Sequence, residues 1–207
     1  MPDPTSERPV ITARAAPAAP APPHDAAAPA NAPAAPLLPN AADVEGWLVE
    51  FGIPAGSRAE RDGIAAWDVA LDGRRRLDLR TTIILDPALG LIVWAHLAPP
   101  LGDGLRKAYR SLLRWNDDYP FAKFSLADDG RPILTVEIPL RWVDADEFGL
   151  ALARVAGIAD RLFDETRGWV WIGGHVPAAY RARVRRPDAL LERFADRLPE
   201  LFEDGEA

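Results

Sequence analysis

The sequence predicts an α+β fold: a mainly antiparallel sheet of about five strands with helices packed on one face, in the order α-βββ-α-ββ-α, followed by a C-terminal β/helix extension. Three observations carry that expectation. Two groups of segments alternate apolar with polar residues at period two; Asp-Gly and Asp-Pro turns join the segments within each group; and apolar residues at helical spacing flank the groups. Tight turns make sequence neighbours antiparallel, and strands gathered between helices define α+β rather than α/β.

The first helix starts at Asn40, which with Asp43 forms an N-terminal cap ahead of Val44, Trp47, Leu48 and Phe51; Gly52 and Pro54 end it. Trp67, Val69 and Leu71 then alternate with Ala66, Asp68 and Ala70 up to a turn at Asp72-Gly73. Leu77, Leu79, Thr81, Ile83 and Leu85 make a second strand, Asp86-Pro87 with Gly90 the next turn, and residues 91–97 (LIVWAHL) a third strand. After Pro99, Pro100 and Gly102, Asp103 caps a helix carrying Leu105, Tyr109, Leu112 and Leu113. Phe124 and Leu126, the turn Asp128-Asp129-Gly130, and Leu134, Val136, Ile138 and Leu140 form a hairpin with one wet face. Asp144 and Glu147 open the last long helix, whose Phe148, Leu152, Val155, Ala159 and Leu162 share one stripe. Beyond Thr166, GWVWIGG reads as a short β-like run, PAAYRARVRR as a basic connector, and residues 187–202 as a short helix that Pro199 kinks or shortens.

Composition sets the domain plan and excludes several classes of function. Residues 1–39 hold eleven of the 21 prolines, among alanines that bury little area, and are expected to be a disordered, partly polyproline-II arm. Residues 40–166 are expected to form the domain, and 167–207 an extension packing on it. A net charge of -7 gives no electrostatic case for nucleic acid or an anionic membrane surface. With no cysteine, disulfides and thiol chemistry are excluded. Apolar runs far shorter than a membrane span, and no signal-peptide pattern, point to a cytoplasmic protein.

Candidate chemistry is sparse. His24, His96 and His175 are dispersed and lack metal spacing, and no Ser lies in a nucleophile elbow, so no catalytic, cofactor or metal residues are assigned. Asn116, Asp117 and Asp118 form the densest polar cluster and read as a helix end and turn. Arg74, Arg75 and Arg76, and Arg181, Arg183, Arg185 and Arg186, are positive patches in an acidic chain, read as a solvated or ion-pairing surface. On the third strand, if Leu89, Leu91, Val93, Ala95 and Leu97 face the helices, then Ile92, Trp94 and His96 project from the other side, where Ile84, Phe121 and Ile133 join them. These six residues are the candidate partner-binding surface. Whether the C-terminal extension covers it is open at this level.

The stretch LLRWNDDYPFAKFSLADDGRPILTVEIPL, with the helix start DADEF after it, resembles the YbjN-like domains and, more distantly, the type III secretion chaperone-like fold. The resemblance spans residues 112–160 by residues and roughly 40–166 by element order; the Ala/Pro arm and the segment after Thr166 lie outside it. It implies a curved antiparallel sheet backed by helices, frequent homodimerisation and no catalytic machinery. The expected function is a non-enzymatic, chaperone-like or regulatory protein-binding module that holds a partner, or a second copy, on a sheet face or edge. The alternative is a small-molecule sensor or enzyme with a pocket between the sheet and the C-terminal extension, lined by Trp169, Trp171, Asn116 and Asp117.

Overall fold

The computed structural model describes residues 38–102, 105–184 and 189–202. The arm over residues 1–37, His24, the Asp103 cap, Arg185, Arg186 and the Pro187 helix start lie outside the described residues.

Local signals set the first helix. The Asn40 Oδ1 accepts from the Ala42 and Asp43 N–H groups, and the Asp43 carboxylate accepts from the Asn40 N–H, closing a capping box at the start of α1 (Ala41–Glu50). Val44 and Leu48 are the face that α1 buries. Six strands follow: β1 (Ala55–Arg61), β2 (Ile64–Leu71), β3 (Leu79–Asp86), β4 (Gly90–His96), β5 (Lys123–Leu126) and β6 (Pro132–Ile138). They form one sheet in the order β1-β2-β3-β4-β6-β5, antiparallel throughout.

The sixth strand is β1, which the sequence reading does not contain. AGSRAER is exposed along its whole length, so there is no buried face to write an alternation into the sequence. Its hairpin does carry a signal: Asp62 and Gly63 adopt φ of 54° and 80°, the two positive values that a tight Asp-Gly hairpin turn requires.

The inner sheet face is the core. Ile83, Leu91, Val93, Ala95 and Leu134 lose all solvent contact, and Trp67 is buried with its Nε1 donating to Glu45 of α1 at 3.2 Å. Over this face runs α3 (Ala145–Arg161), started by the Asp144 carboxylate accepting from the Glu147 N–H, with Phe148, Leu152, Val155, Ala159 and Leu162 all buried. Leu89, expected on the inner face, lies in the turn before β4 and is exposed.

Beside α3, α2 (Leu105–Asp118) brings Leu112 and Trp115 down onto β5. The Trp115 ring lies 5.4 Å from both Phe124 and Trp169. Trp169 belongs to α4 (Phe163–Val170), so the GWVWIGG segment is the end of a helix followed by a 3-10 turn at Ile172–Gly174, and not a β-like run. An unbroken apolar run has no period; the pairing of Trp169 with Trp115 selects the helical state.

The chain closes with α5 (Ala178–Arg181), α6 (Ala189–Phe194) and α7 (Pro199–Phe202). Phe194 of α6 packs on Gly149 of α3 and lies 6.3 Å from the Phe51 ring; a Cβ on Gly149 would lie 2.5 Å from the Phe194 ring, so only glycine admits this approach. α6 and α7 therefore thicken the helical layer over α3, whereas α5 lies against Phe163 and Trp171. Among the described residues, no helix is long and apolar enough to cross a membrane.

Candidate functional site

Two surfaces stand out, and they adjoin. The first is the outer sheet face. Register places Ile84 beside Ile92, Ile92 beside Glu137, Thr82 beside Trp94, Trp94 beside Thr135, and His96 beside Ile133. Ile84, Ile92, Trp94 and His96 are half-buried, whereas their inner-face neighbours are sealed. The Trp94 and His96 rings lie tilted by 33° with centroids 5.9 Å apart, and neither the Trp94 Nε1 nor the His96 Nδ1 has a hydrogen-bond partner. Polar groups rim the patch. The Lys123 Nζ meets Glu137 at 2.9 Å, and Asp68 accepts from the Ser57 and Thr82 hydroxyls at 2.7 and 2.8 Å. Those two bonds hold the Asp68 carboxyl below its ordinary range, Ser57 more than Thr82.

Two of the six predicted face residues are placed differently. Ile133 is on this side, beside Ser125 and His96, but it is buried, being covered by its neighbours in a hairpin next to the sheet edge. Phe121 is not on the face. It precedes β5 with φ of 62°, is 81% exposed, and lies beneath the Arg154 guanidinium of α3 at 5.4 Å, on the helical side. Extending the β5 alternation backwards fails there because the left-handed residue breaks the strand.

The second surface grows from the β2–β3 connection. Asp72-Gly73 reads as a two-residue turn, yet residues 72–78 form a wide loop. Its shape is set by Asp160, in the last turn of α3 and buried. The carboxylate accepts from the backbone N–H groups of Arg74, of Arg75 at 2.9 Å and of Arg76 at 2.6 Å. Three convergent amides form an anion-binding nest, here filled by the protein's own carboxylate. Tyr180 of α5 clamps the far side, its hydroxyl donating to the Leu77 carbonyl at 3.0 Å and accepting from the Leu77 N–H at 2.6 Å. Burial raises the Tyr180 hydroxyl above its ordinary range.

Held this way, Arg76 turns inward and is 8% exposed. Its Nη2 donates to the Leu97 carbonyl at 2.9 Å, and its guanidinium lies 5.7 Å from the Trp171 ring. Arg76, Asp78, Arg80, His96, Ala98, Pro99, Pro100 and Arg131 line a cavity of about 400 Å³. Arg80 and His96 also border the outer sheet face beside Asp68 and Thr82. Burial, then the Arg131 charge, pushes His96 below the ordinary imidazole range. Apart from Asp78 and the apolar Ala98, Pro99 and Pro100, the cavity is walled by arginines and His96, whose N–H groups can donate to oxygen acceptors.

The other predicted residues fall into structural places. Asn116 is spent on backbone: Nδ2 donates to Leu112 and Phe124 carbonyls at 3.0 and 3.1 Å, and Oδ1 accepts from the Phe124 N–H at 2.8 Å. Asp117 and Asp118 are exposed at the end of α2. Trp169 packs in the core margin and Trp171 on Tyr180, so they do not line a shared pocket with Asn116. Among the described residues, no group of three or more His, Cys, Asp or Glu side chains is placed to hold a metal ion. The arginine cavity escapes sequence reading because its members come from the β2–β3 loop, β3 and the β5–β6 hairpin.

A helix-backed antiparallel sheet whose outer face carries no helix among the described residues defines a two-layer α+β platform. The chain belongs to the YbjN family, whose model matches residues 40–167 and is described as a "putative bacterial sensory transduction regulator". A search of the curated proteins found no match.

Proposed function

We propose that this chain is a non-enzymatic regulatory module that acts by docking a protein chain, first of all a second copy of itself, on its outer sheet face. The observation that carries this reading is the Ile84, Ile92 and Trp94 patch, half-buried on the outer sheet face, opposite the side on which α6 and α7 pack against α3. Six strands about 4.8 Å apart, with about seven residues at roughly 3.3 Å each, give a face of roughly 600–700 Å² in plan. That is close to the ~800 Å² per partner of a standard interface, so this face alone comes near the area a dimer needs. An apolar centre with a rim of Asp68, Lys123 and Glu137 is the usual layout of such a surface. The family's description as a regulator agrees with a binding role.

Sedimentation or light scattering on the purified chain tests this. The wild type is expected to run as a dimer, and Trp94→Ser as a monomer with an unchanged circular dichroism spectrum. A monomeric wild type at about 50 µM, or a Trp94→Ser dimer, overturns it.

A further inference from the structure

We infer that the cavity lined by Arg76, Arg80, His96 and Arg131 is a binding site for a small oxyanion, a molecule carrying a phosphate or paired carboxylates. This goes beyond the docking reading and does not depend on it.

A guanidinium stays charged in proteins, and taking it out of water costs several kcal/mol unless a counter-charge meets it. Arg76 is more than nine-tenths buried, yet no carboxylate among the described residues forms an ion pair with it. One neutral carbonyl, that of Leu97, satisfies Nη2; Nη1 is buried without a hydrogen-bond partner. The nearby carboxylate that would neutralise it, Asp160, directs its oxygens to the backbone of Arg74, Arg75 and Arg76 instead. The fold thus spends an acidic residue on aiming the arginine, and Asp160 favours its charge from a distance while the Nη1 donor stays without an acceptor.

The neighbouring groups add further donors. Arg80 on β3 forms no ion pair with any described residue. Arg131 uses its Nε on Asp129 at 2.6 Å, which leaves both Nη groups for another acceptor. The His96 Nδ1 is buried and unpartnered. The one carboxylate in the lining, Asp78, takes the Arg183 Nη1 at 2.9 Å. The lining holds three guanidinium groups and one carboxylate, Asp78, already paired with Arg183; with Asp129 on Arg131 counted as well, cationic groups still outnumber these carboxylates, in a chain of net charge -7. A volume of about 400 Å³ lies within the ~300–1,000 Å³ range of small-molecule sites, and Arg forks match the geometry of phosphate and carboxylate oxygens. Ala98, Pro99 and Pro100 supply a rigid apolar wall that keeps the site from refilling with side chains.

Isothermal titration of the full chain with inorganic phosphate and, separately, with succinate, at constant ionic strength set by chloride, tests the inference. Saturable binding of one ligand per chain is expected for at least one probe. Phosphate alone identifies a phosphate-bearing ligand, and succinate alone a dicarboxylate. Arg80→Gln and Arg131→Gln alter side chains at the protein surface and should each weaken binding about tenfold or more. Arg76→Met should abolish it, and the two surface variants keep the test decisive if Arg76→Met fails to fold. Arg61→Gln removes an exposed positive charge at the far end of β1 and should change nothing. No saturable heat with either probe overturns the inference, as does equal weakening by Arg61→Gln, which would mean general charge attraction.

Discussion

Replacing Asp160 by Ala should cost this fold more than loss of a typical surface carboxylate, and the amount follows from three hydrogen bonds. Its carboxylate receives the N–H groups of Arg74, Arg75 and Arg76 at a position only 7% exposed. Bonds to a charged acceptor are each worth about 1.5–3 kcal/mol, but these three share one carboxylate, and the loop can turn partly to water once released. A loss of about 3–5 kcal/mol is therefore expected, the range for stripping one side from a buried charged network. At about 2–4 °C per kcal/mol for a chain of this size, the midpoint of thermal unfolding should fall by roughly 6–20 °C. Asp160→Asn keeps the shape but turns an amide N–H₂ toward a backbone N–H, and should lose about half as much.

Gly73 provides the cross-check. A Cβ there would lie 2.6 Å from the Asp160 Cγ, so Gly73→Ala should destabilise the wild type by pushing the loop off the carboxylate. In an Asp160→Ala background that clash is gone, and Gly73→Ala should cost little. Circular dichroism melts of the four proteins complete the cycle. A shift under about 2 °C for Asp160→Ala, or additive effects of the two changes, would refute the view that this carboxylate shapes the loop.

Two further outcomes are expected. Asn116→Ala removes the two bonds that tie α2 to Phe124, and one to Leu112 within α2, and should cost about 1–2 kcal/mol, with hydrogen exchange accelerated most at the Phe124 amide; Asp117→Ala should change stability by less than ~0.5 kcal/mol, and equal effects would contradict this assignment. Urea unfolding should show stability falling on acidification in two stages. His96 is held below its ordinary value by burial and Arg131, with Asp129 and Asp68 opposing and Arg80 assisting, so below about pH 6.5 the unfolded chain takes up a proton that the folded chain resists. Asp68 is held down by the Ser57 and Thr82 hydroxyls, so the stability it adds is present above about pH 4 and lost below. His96→Gln should flatten the upper stage only; an unchanged profile would reject His96 as its source.

Sequence alone settled whatever depends on neighbours within a few positions. Asn40 and Asp43 declare the start of α1, Asp144 the start of α3, and period-two alternation sets β2, β3, β4 and the β5–β6 hairpin, because a cap or a half-buried strand writes itself into adjacent residues. The YbjN resemblance is legible for the same reason, being carried by turn and core positions of one contiguous stretch. Of the candidate face, Ile84, Ile92, Trp94 and His96 are legible from strand parity, while Phe121 is lost to a single left-handed residue. Tertiary structure decided the rest. The edge strand β1 buries neither face and so leaves no pattern, and the pairing of Trp169 with Trp115 turns an apolar run into a helix. The Asp72-Gly73 signal, sufficient for a tight turn, yields to a carboxylate more than 80 positions away that captures three amides at once. The arginine cavity exists only because that loop, β3 and a distant hairpin converge. Local propensities are worth a fraction of a kcal/mol per residue, and a buried charge with three donors outweighs them.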